Sequence, residues 1–472
     1  MNPRMESASR PAPAADAAGP ARLAALIGKY EGRAPRYTSY PPIPYWGELD
    51  AAQVEPWLRG QADGPLSLYT HIPFCRSHCS YCGCFVIISP HRKPVDGYLE
   101  AVHREMAAVR ERLPAAPRVR QYHLGGGTPT YISREDMTAL VERARALFPF
   151  EPDVEMSIEV DPRTVSPEDL AHLHALGFNR VSLGVQDFET PVQERVNRRQ
   201  PAEQVVRLVE AARGLDFLSV NFDLIYGLPL QTRSTFERTL NQVLALAPDR
   251  IALYNFAHLP NLFTHQRRID PAELPPPEEK LAIFLDARER LMGGSYLSIG
   301  MDHFARQGDE LAAAWQEGTL RRNFMGYTTQ AGTNLVGFGV SAISELQGYY
   351  WQNEKKLSRY ERSLGEGRLP IVKGMALSAD DRLRQAVITA LFCQGRLDGE
   401  DIGRRFGVDC AAVFAPALRA LEPMVADGLV RLEAGGVTVT ELGRLFLRNI
   451  AQAFDGYAGD RAGAKPLFSR TV

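Results

Sequence analysis

The chain has 472 residues, of which 45% are hydrophobic and 23% are charged, the composition of a globular protein with about two or three domains. Its formal net charge of −2 gives no general attraction to nucleic acid or to anionic lipid. No apolar run reaches the roughly 18 residues that crossing a bilayer requires. The sequence therefore predicts neither a nucleic-acid partner nor a membrane span.

The amino-terminal residues are rich in Ala, Pro and Ser and lack the apolar stretch of a secretion signal. We predict a disordered lead over residues 1–20, because this composition buries too little apolar surface to fold. Residues 21–65 are predicted to form an amino-terminal segment that covers the site. Clustered cysteines without an export signal favour a reducing compartment, which predicts a cytoplasmic protein.

Short β-rich runs alternate with amphipathic helical patterns between residues 66 and 259. The predicted strands are 67–72, 119–124, 154–160, 179–185, 219–225 and 250–256, and the predicted helices are 95–112, 134–147, 167–176, 201–213 and 233–246. The fourth helix carries an apolar stripe of Val205, Val206, Leu208, Val209 and Ala212, and Gly214 supplies its stop. These repeats favour a parallel sheet, either curled into an incomplete (β/α)6 TIM-like barrel or left open.

The functional groups of such sheets collect at the carboxyl ends of the strands. A cysteine-rich loop follows the first predicted strand and a glycine run follows the second. Polar or small residues end the other four strands: Glu159 with Asp161, Gln186, Asp223, and Ala257 with His258. We expect these ends to form one rim that contains the active site.

Beyond the sixth strand the pattern is less regular. Residues 260–277 form a proline-dotted connection, 278–293 a predicted helix, and 295–305 and 334–346 buried segments that line the site, so that the barrel and its extension span 66–375. Short helices, a long helix from about Ala415 and a hairpin at 428–443 predict a winged-helix-like domain over 376–472. Winged helices often bind nucleic acid, but without a basic excess we favour a structural lid.

The cysteine-rich loop holds Cys75, Cys79 and Cys82 in C-x3-C-x2-C spacing, with Cys84 two residues later. Three thiolates can bind three irons of a [4Fe–4S] cluster and leave the fourth iron open to a small chelator. Zinc would need a second group of ligands, and the other two cysteines are isolated. Disulfides over such short separations would be strained. The loop therefore predicts a cluster that takes part in chemistry.

This loop and GGGTPT resemble the radical S-adenosylmethionine superfamily. A longer ordered set resembles, more narrowly, the oxygen-independent coproporphyrinogen III oxidases: PRYTSYP, LYTHIPFCRSHCSYCGC, SIEVDPRTV, GFNRVSLGVQDF, VNRRQ, NFDLIYGLP, YNFAHLP, IGMDHFA, NFMGYTTQ and GVSAIS. The resemblance extends from about residue 30 to the carboxyl terminus. It is specific because the motifs occur in order over this length.

The resemblance implies a [4Fe–4S] cluster and two molecules of S-adenosyl-L-methionine. One electron would split the first into methionine and a 5′-deoxyadenosyl radical, which abstracts hydrogen from a propionate of coproporphyrinogen III. Loss of CO2 and one electron leaves a vinyl group, and two rounds give protoporphyrinogen IX in haem biosynthesis. The implied partners are the tetrapyrrole substrate and an electron donor of the flavodoxin or ferredoxin type; we expect a monomer.

The resemblance also implies roles for individual residues at the first cofactor. Cys75, Cys79 and Cys82 would bind the cluster; Cys84 is either a small buried residue or functional. The residues implied at the first S-adenosylmethionine are Tyr69, Tyr81, Gly126, Gly127, Thr128, Glu159 and Ile343. Two of these assignments have simpler alternatives. The glycine run could form an ordinary tight turn, and Glu159 could accept hydrogen bonds as a capping partner at the amino terminus of a helix.

Gln186, Arg198, Asp223 and Ala257 would contact the second S-adenosylmethionine. Arg198 suits a carboxylate, since its guanidinium can donate two parallel hydrogen bonds, although a surface ion pair is the commoner fate of an arginine. Arg33, Arg36, Arg321 and Arg322 are candidates for binding propionates. Tyr37 and Tyr40 would pack on the macrocycle or serve as ordinary core residues.

The residues implied closest to the reaction are Tyr69, Glu159, Phe324 and Met325. Met325 stands where the family pattern carries a glutamine, and a thioether is at best a weak hydrogen-bond acceptor. This departure leaves open a relative that acts on another tetrapyrrole. A third hypothesis is a haem-trafficking protein without oxidase activity, against which Cys84, GMDHFA and the long carboxyl-terminal part count.

Overall fold

The computed structural model describes residues 19–60, 64–114, 116–433 and 435–458. The predicted disordered lead lies outside the described residues except for its last two positions. The described chain forms two compact units. The larger unit comprises Ile43–Asp309 and Gln330–Ala379. The smaller unit consists of the described residues within Met1–Pro42, Glu310–Thr329 and Asp380–Val472. These units cut the chain at other positions than the predicted domain boundaries, which stay a prediction.

The helices are α1 Pro20–Tyr30, α2 Ala51–Gly60, α3 Lys93–Arg112, α4 Arg134–Leu147, α5 Pro167–Ala175, α6 Thr190–Arg195, α7 Ala202–Gly214, α8 Arg233–Leu246, α9 Pro277–Gly293, α10 Glu310–Glu317, α11 Leu357–Gly365, α12 Ala379–Gln394, α13 Gly399–Phe406, α14 Cys410–Val413, α15 Ala415–Ala420, α16 Glu422–Ala426 and α17 Leu447–Gln452.

The strands are β1 Gly47–Glu48, β2 Leu66–Ile72, β3 Phe74–Cys75, β4 Ile87–Ile88, β5 Val119–Gly126, β6 Phe150–Val160, β7 Arg180–Gln186, β8 Ser219–Tyr226, β9 Arg250–Asn255, β10 Tyr296–Gly300, β11 His303–Arg306, β12 Arg321–Asn323, β13 Gly326–Thr328, β14 Asn334–Phe338, β15 Ile343–Leu346, β16 Tyr349–Asn353, β17 Ile371–Ala376, β18 Arg396–Leu397, β19 Val430–Glu433 and β20 Gly436–Val439.

Six parallel strands form the centre of the larger unit, in the order β2-β5-β6-β7-β8-β9. They are the six strands predicted from the sequence, and α3, α4, α5, α7 and α8 connect them as predicted. Parallel neighbours need such crossover connections. The prediction of an incomplete barrel with (β/α) repeats is confirmed.

The parallel centre continues on both sides into one thirteen-stranded sheet. On one side β14 pairs parallel to β2 and is followed by β15, β16, β17 and β1, all antiparallel. On the other side β11 and β10 add antiparallel to β9. The two predicted buried segments at 295–305 and 334–346 thus supply strands to these extensions.

The helices of the larger unit pack their apolar stripes on the sheet. In α7 the buried side chains Val205, Leu208, Val209 and Ala212 recur at helical spacing. Capping boxes at Ser133, Ser166 and Thr232 begin α4, α5 and α8 by pairing the first free amides with a side chain. No helix of the described residues is long and apolar enough to cross a membrane.

The smaller unit contains short helices and a three-stranded sheet in the order β18-β20-β19, consistent with the predicted winged-helix-like architecture. The predicted long helix from Ala415 is wrong: the chain forms α15 and then α16, which has Pro423 in its first turn. A proline ring clashes with the carbonyl four residues earlier, so one continuous helix cannot pass through this position. Within this unit Tyr37 donates to Asp455 (2.9 Å).

Candidate active site

A row of polar side chains covers one face of the parallel strands. Paired residues on neighbouring strands point to the same face, as do alternate residues along a strand. By the register, Tyr69 pairs with His123, His123 with Ser157, and Glu159 with Ser182. The polar face consists of Ser67, Tyr69, His71, Gln121, His123, Glu155, Ser157, Glu159, Ser182, Asn221 and Asp223.

Glu159 lies at the carboxyl end of β6, in the middle of this face. Its Oε2 accepts the amide of Gly126 (2.9 Å), and its Oε1 lies 3.6 Å from Nε2 of His123. Desolvation pushes its pKa up, but the hydrogen bonds and charge of His123 and the Gly126 amide outweigh this, and the pKa is lowered. The side chain keeps 44% of its accessible surface. Glu159 therefore presents an ionised carboxylate to the open space of the site.

Tyr69 and His71 form a fixed pair at the end of β2. Nε2 of His71 lies 3.1 Å from the Phe85 carbonyl oxygen, which can only accept, so Nε2 carries the proton. Nδ1 is then the acceptor for the Tyr69 hydroxyl at 2.9 Å. Burial lowers the pKa of His71 to about 4, which keeps the ring neutral. The tautomer of His71 thus orients the Tyr69 phenol, whose ring stacks on His123.

The glycine run after β5 lets main chain and side chains approach closely. A Cβ at Gly126, whose φ is +128°, would lie 2.7 Å from the Ile72 carbonyl oxygen. A Cβ at Gly127 would lie 2.6 Å from the Pro73 carbonyl oxygen and 3.0 Å from Cys75 Sγ. Only glycine fits at these two positions. The turn therefore brings main-chain groups directly against the cysteine loop.

The cysteine loop is surrounded by hydrogen-bond donors. Thr128 Oγ1 lies 3.3 Å from Cys75 Sγ. Arg198 Nη1 and Arg163 Nη2 donate to Cys79 Sγ at 3.6 and 3.7 Å, and Asp161 binds both guanidinium groups. Burial raises the pKa of Cys75 to about 11, and the hydrogen bond with Thr128 offsets only part of this rise.

Cys82 is the third thiol of the loop. A hydrogen bond from Cys84, assisted by His78, lowers the pKa of Cys82 to about 5. Cys84 is exposed, so the interpretation of it as a buried packing residue is wrong. The Cys82 carbonyl oxygen accepts His265 Nε2 (2.7 Å), and Gln266 Nε2 donates to the Tyr81 carbonyl oxygen (3.2 Å). Residues after β9 therefore hold the main chain of the loop.

The side chains predicted for a second cofactor occupy the next strand ends. Arg198 is buried and donates to Asp161, Cys79 and the Gly184 carbonyl oxygen, while its Nε has no hydrogen-bond partner. The surface ion pair that the sequence left open is wrong for Arg198, because 7% of the residue is exposed. Gln186 Nε2 and Arg198 Nη2 would both lie 2.9 Å from a Cβ at Gly184. The two side chains therefore meet over this glycine.

Asp223 faces Glu159 across the site. Burial and the negative charge of Glu159 raise the pKa of Asp223 to about 6, although Asn221 and Ser182 donate to it at 3.0 and 3.2 Å. The negative charge of Glu159 opposes the ionisation of the buried Asp223, so Asp223 holds its proton up to a higher pH. Glu159, predicted at the first cofactor, and Asp223, predicted at the second, are therefore close enough for the charge of one to change the pKa of the other.

The remaining predicted residues of the larger unit lie around this rim. The Tyr81 ring packs against the apolar cluster around Val192 and Ile225. Ala257 follows the end of β9 and is half-buried. Ile343 begins β15 and is buried, and its carbonyl oxygen faces Gly337, the register partner of Tyr69.

Phe324 and Met325 belong to the smaller unit, at the turn between β12 and β13. Asn323 Oδ1 accepts the Met325 amide (2.9 Å), which fixes the turn. Arg322, a candidate for propionates, instead donates to the Arg36 and Tyr37 carbonyl oxygens. Tyr37 and Tyr40 are buried at 7% and 2% exposure, as the core alternative predicted.

The residues of the loop fit an iron–sulfur cluster. All six cysteines are free thiols. In the described part of the chain no three His, Cys, Asp or Glu side chains converge on a single ion. A cubane cluster takes one thiolate per iron, so spaced thiols with donors to their sulfurs are the arrangement it needs. The loop can hold three irons.

Sequence reasoning missed four contributors to the site: His71, His123, Arg163 and the clamp formed by His265 and Gln266. The first two were detectable, because each shares a strand face with a predicted residue by alternation or pairing. Arg163 lies two residues after Asp161, in the motif SIEVDPRTV. The clamp gave no signal, since the contact from His265 to Cys82 joins residues 183 positions apart.

Comparisons with known proteins agree with this geometry. The family model of the Radical SAM superfamily matches residues 69–243, and that of the HemN C-terminal domain matches residues 377–446. The oxygen-independent coproporphyrinogen III oxidases of Salmonella typhimurium (strain LT2) and Escherichia coli (strain K12) are 46% and 45% identical to the chain, each over 95% of it and 98% of the relative.

A solved structure, described as coproporphyrinogen III oxidase (HemN) from Escherichia coli, a radical SAM enzyme, superposes with a TM-score of 0.88 at 44% identity. The match covers 92% of this chain and 98% of that one. Likeness at this identity over nearly full length leaves the fold and the family in no doubt. The chain belongs to the oxygen-independent coproporphyrinogen III oxidase family of the radical S-adenosylmethionine superfamily.

Proposed function

We propose that the chain oxidatively decarboxylates two propionate side chains of coproporphyrinogen III and so forms the vinyl groups of protoporphyrinogen IX in haem biosynthesis. The observation that carries this proposal is the direct contact of the cysteine loop, the glycine turn and Glu159. Cys75 meets Thr128 at 3.3 Å, and Gly126 donates to Glu159 at 2.9 Å. The near full-length likeness to relatives named for this activity supports it.

Cys75, Cys79 and Cys82 would hold the [4Fe–4S] cluster that radical SAM enzymes use. The cluster and S-adenosylmethionine, when bound, supply a 5′-deoxyadenosyl radical that takes a hydrogen atom from the propionate. Glu159 accepts N–H or O–H groups of the first S-adenosylmethionine, because its lowered pKa keeps it ionised. The residues that we assign to this molecule are Tyr69, Tyr81, Gly126, Gly127, Thr128, Glu159 and Ile343.

A second S-adenosylmethionine is proposed beside the first. Three of the four N–H groups on the Arg198 amino nitrogens have partners, so one Nη2 proton and the buried Nε are the donors left for a ligand. Asp223, with a pKa of about 6, is largely ionised at neutral pH and accepts a ligand hydroxyl or amine. Gln186 and Ala257 complete this proposed set.

Tyr69 and Glu159 orient the reacting groups, and we assign Phe324 and Met325 to the substrate. The 5′-deoxyadenosyl radical would take one hydrogen atom from each propionate, CO2 would leave, and the remaining electron would pass to an external one-electron acceptor. A glutamine in place of Met325 would add an amide donor toward a carboxylate. Met325→Gln should therefore lower the KM for coproporphyrinogen III; an unchanged KM would remove Met325 from the substrate contacts.

The decisive experiment is an anaerobic product assay on the cluster-reconstituted protein. With a chemical reductant, each propionate lost should release one CO2 and one 5′-deoxyadenosine and yield one vinyl group. Cys75→Ser should abolish the product and the bound iron, whereas the control Cys410→Ser, a buried thiol outside the loop, should keep both. Release of 5′-deoxyadenosine without a vinyl product would assign the enzyme to another substrate.

We further propose that the protein works in the cytoplasm as a monomer, with a flavodoxin or ferredoxin as its electron donor. Six free thiols, four of them within residues 75–84, favour a reducing compartment. Sedimentation of the reconstituted protein tests the oligomeric state, and a dimer at micromolar concentration would contradict it.

A further inference from the structure

Three segments meet on the outer side of the cysteine loop. The loop residues 76–83 contact 195–199, since Asn197 Nδ2 donates to the His78 carbonyl oxygen (3.0 Å) and Ser80 donates to the Val196 carbonyl oxygen (2.9 Å). They also contact 259–268, where the ring centroids of His78 and His265 lie 3.7 Å apart. We call this surface the loop face. It lies directly over the main chain of two predicted cluster ligands, Cys79 and Cys82.

The loop face is basic although the chain as a whole is slightly acidic. Its three segments contain no Asp or Glu and six arginines: Arg76, Arg195, Arg198, Arg199, Arg267 and Arg268. Glutamates from outside the segments bind Arg195 and Arg199, and Arg198 is buried on Asp161. Arg76 lines a groove with Arg92, Thr130, Arg134 and Asp169. Arg267 and Arg268 are exposed and have no ion pair within the described residues. Two positive charges of the loop face therefore remain uncompensated.

An apolar side chain stands at the same place. Leu262 is 70% exposed, more than any other large hydrophobic side chain of the described chain. Its neighbour Phe263 packs on Gly83, with its ring 3.8 Å from where a Cβ would lie at Gly83. An apolar centre with a polar, charged rim is the usual composition of a protein–protein contact, and small contacts are typical of transient electron-transfer pairs.

We propose that the loop face is the docking surface for the electron donor, an acidic protein that carries one electron. This inference rests on the proposed function, which needs one external electron for each 5′-deoxyadenosine formed. The donor is oxidised by one electron and the cluster is reduced by one. A protein bound here contacts main chain that is adjacent to two cluster ligands. Uncompensated arginines attract acidic partners and raise the rate of encounter, while the apolar centre excludes water.

The test is a charge reversal with a matched control. The variant Arg267→Glu/Arg268→Glu reverses the two uncompensated charges of the loop face. The control Arg59→Glu/Arg207→Glu reverses two exposed arginines that also have no ion pair among the described residues, on α2 and on α7. Both variants change the net charge equally, so a difference between them reports position.

Two readouts use the reconstituted protein and a flavodoxin of strongly negative net charge. Biolayer interferometry measures binding of the oxidised flavodoxin, and stopped-flow absorbance measures cluster reduction by the reduced form. At low salt we expect the loop-face variant to bind flavodoxin about tenfold more weakly than wild type and to be reduced by it about tenfold more slowly. The control should keep an affinity and a rate near those of wild type. The wild-type rate should fall with added salt. Leu262→Asp should weaken binding as well.

Photoreduced deazaflavin, a neutral small reductant, separates this inference from the proposed function. It should reduce the cluster of every variant at the same rate and support vinyl formation, whatever the loop face does. Equal flavodoxin rates in the loop-face variant and the control would overturn the docking proposal. So would loss of binding to phosphatidylglycerol vesicles in the loop-face variant with unchanged flavodoxin reduction, because the face would then bind membranes.

Discussion

The buried carboxyl of Glu105 helps to hold the turn at Gly339, close to the site, and its ionisation can be tested. This carboxyl is 2% exposed, on α3, and accepts Asn353 Nδ2 (2.6 Å), the Tyr360 hydroxyl (2.6 Å) and the Gly339 amide (2.8 Å). Gly339 lies in the turn that leads to Ile343. Burial raises the pKa of Glu105 from 4.5 to about 7 against these three donors.

The raised pKa sets both the sign and the size of a pH effect. Below about pH 4.5 the folded and unfolded states both hold the proton. Between pH 4.5 and about 7 the folded state keeps a proton that the unfolded state has released, so stability falls as pH rises. A difference of about 2.5 pKa units at roughly 1.4 kcal/mol per unit amounts to about 3 kcal/mol. This stabilisation is present at low pH and lost above about pH 7.

Glu105→Gln removes this titration and keeps the shape of the side chain. We expect the drop in the opening free energy of α3 amides between pH 5 and pH 8, measured by native-state hydrogen exchange, to be about 3 kcal/mol smaller than in wild type. Glu111→Gln, an exposed change on the same helix, serves as the control and should leave the drop unchanged. An identical drop in wild type and Glu105→Gln would refute the reasoning.

Three further predictions concern the rim. The added methyl of Gly127→Ala clashes with the Pro73 carbonyl and should destabilise the turn by about 1–3 kcal/mol. The amount of iron that the reconstituted protein retains should therefore fall about tenfold. The control Gly214→Ala has open space around its Cβ and should retain iron normally. Tyr69→Phe removes the donor to His71, and S-adenosylmethionine affinity by calorimetry should drop about fivefold. Arg198→Lys keeps the positive charge but loses the two-pronged guanidinium that donates to both Asp161 and the Gly184 carbonyl oxygen. The free energy of unfolding should fall by about 1–3 kcal/mol, and the melting temperature by several degrees. An unchanged melting temperature would contradict the role of this buried network.

The parallel core was predictable because local pattern determines it. Each of the six strands was placed within one or two residues at its carboxyl end, where the β-branched run meets a polar or glycine stop. β6 begins at Phe150, earlier than predicted, because Pro152 and Asp153 look like turn residues although Phe150 pairs with Val119. Tertiary pairing overrode the local signal there.

The antiparallel extensions were not predictable as a sheet. β16 and β17 were missed, and β1 joins the sheet through the pairing of Gly47 with Gly374 and of Glu48 with Lys373, which are far apart in sequence. The site divides in the same way. Cysteine spacing, the glycine turn and Glu159 follow from local sequence, whereas the polar contacts that hold Cys79 and Cys82 come from distant segments and depend on the completed fold.

The clamp on the cysteine loop also imposes an order of events during synthesis. The carbonyl of Cys82 is held by His265, 183 positions later. At about 5–20 residues per second, the ribosome needs about 10–40 s to make the intervening chain. For that interval the thiols have emerged while the residues that fix their loop do not yet exist. Iron can therefore be delivered to the completed loop only after β9 and the residues that follow it have been synthesised. If the cell lacks reductant, the thiols of the loop can be oxidised during this interval.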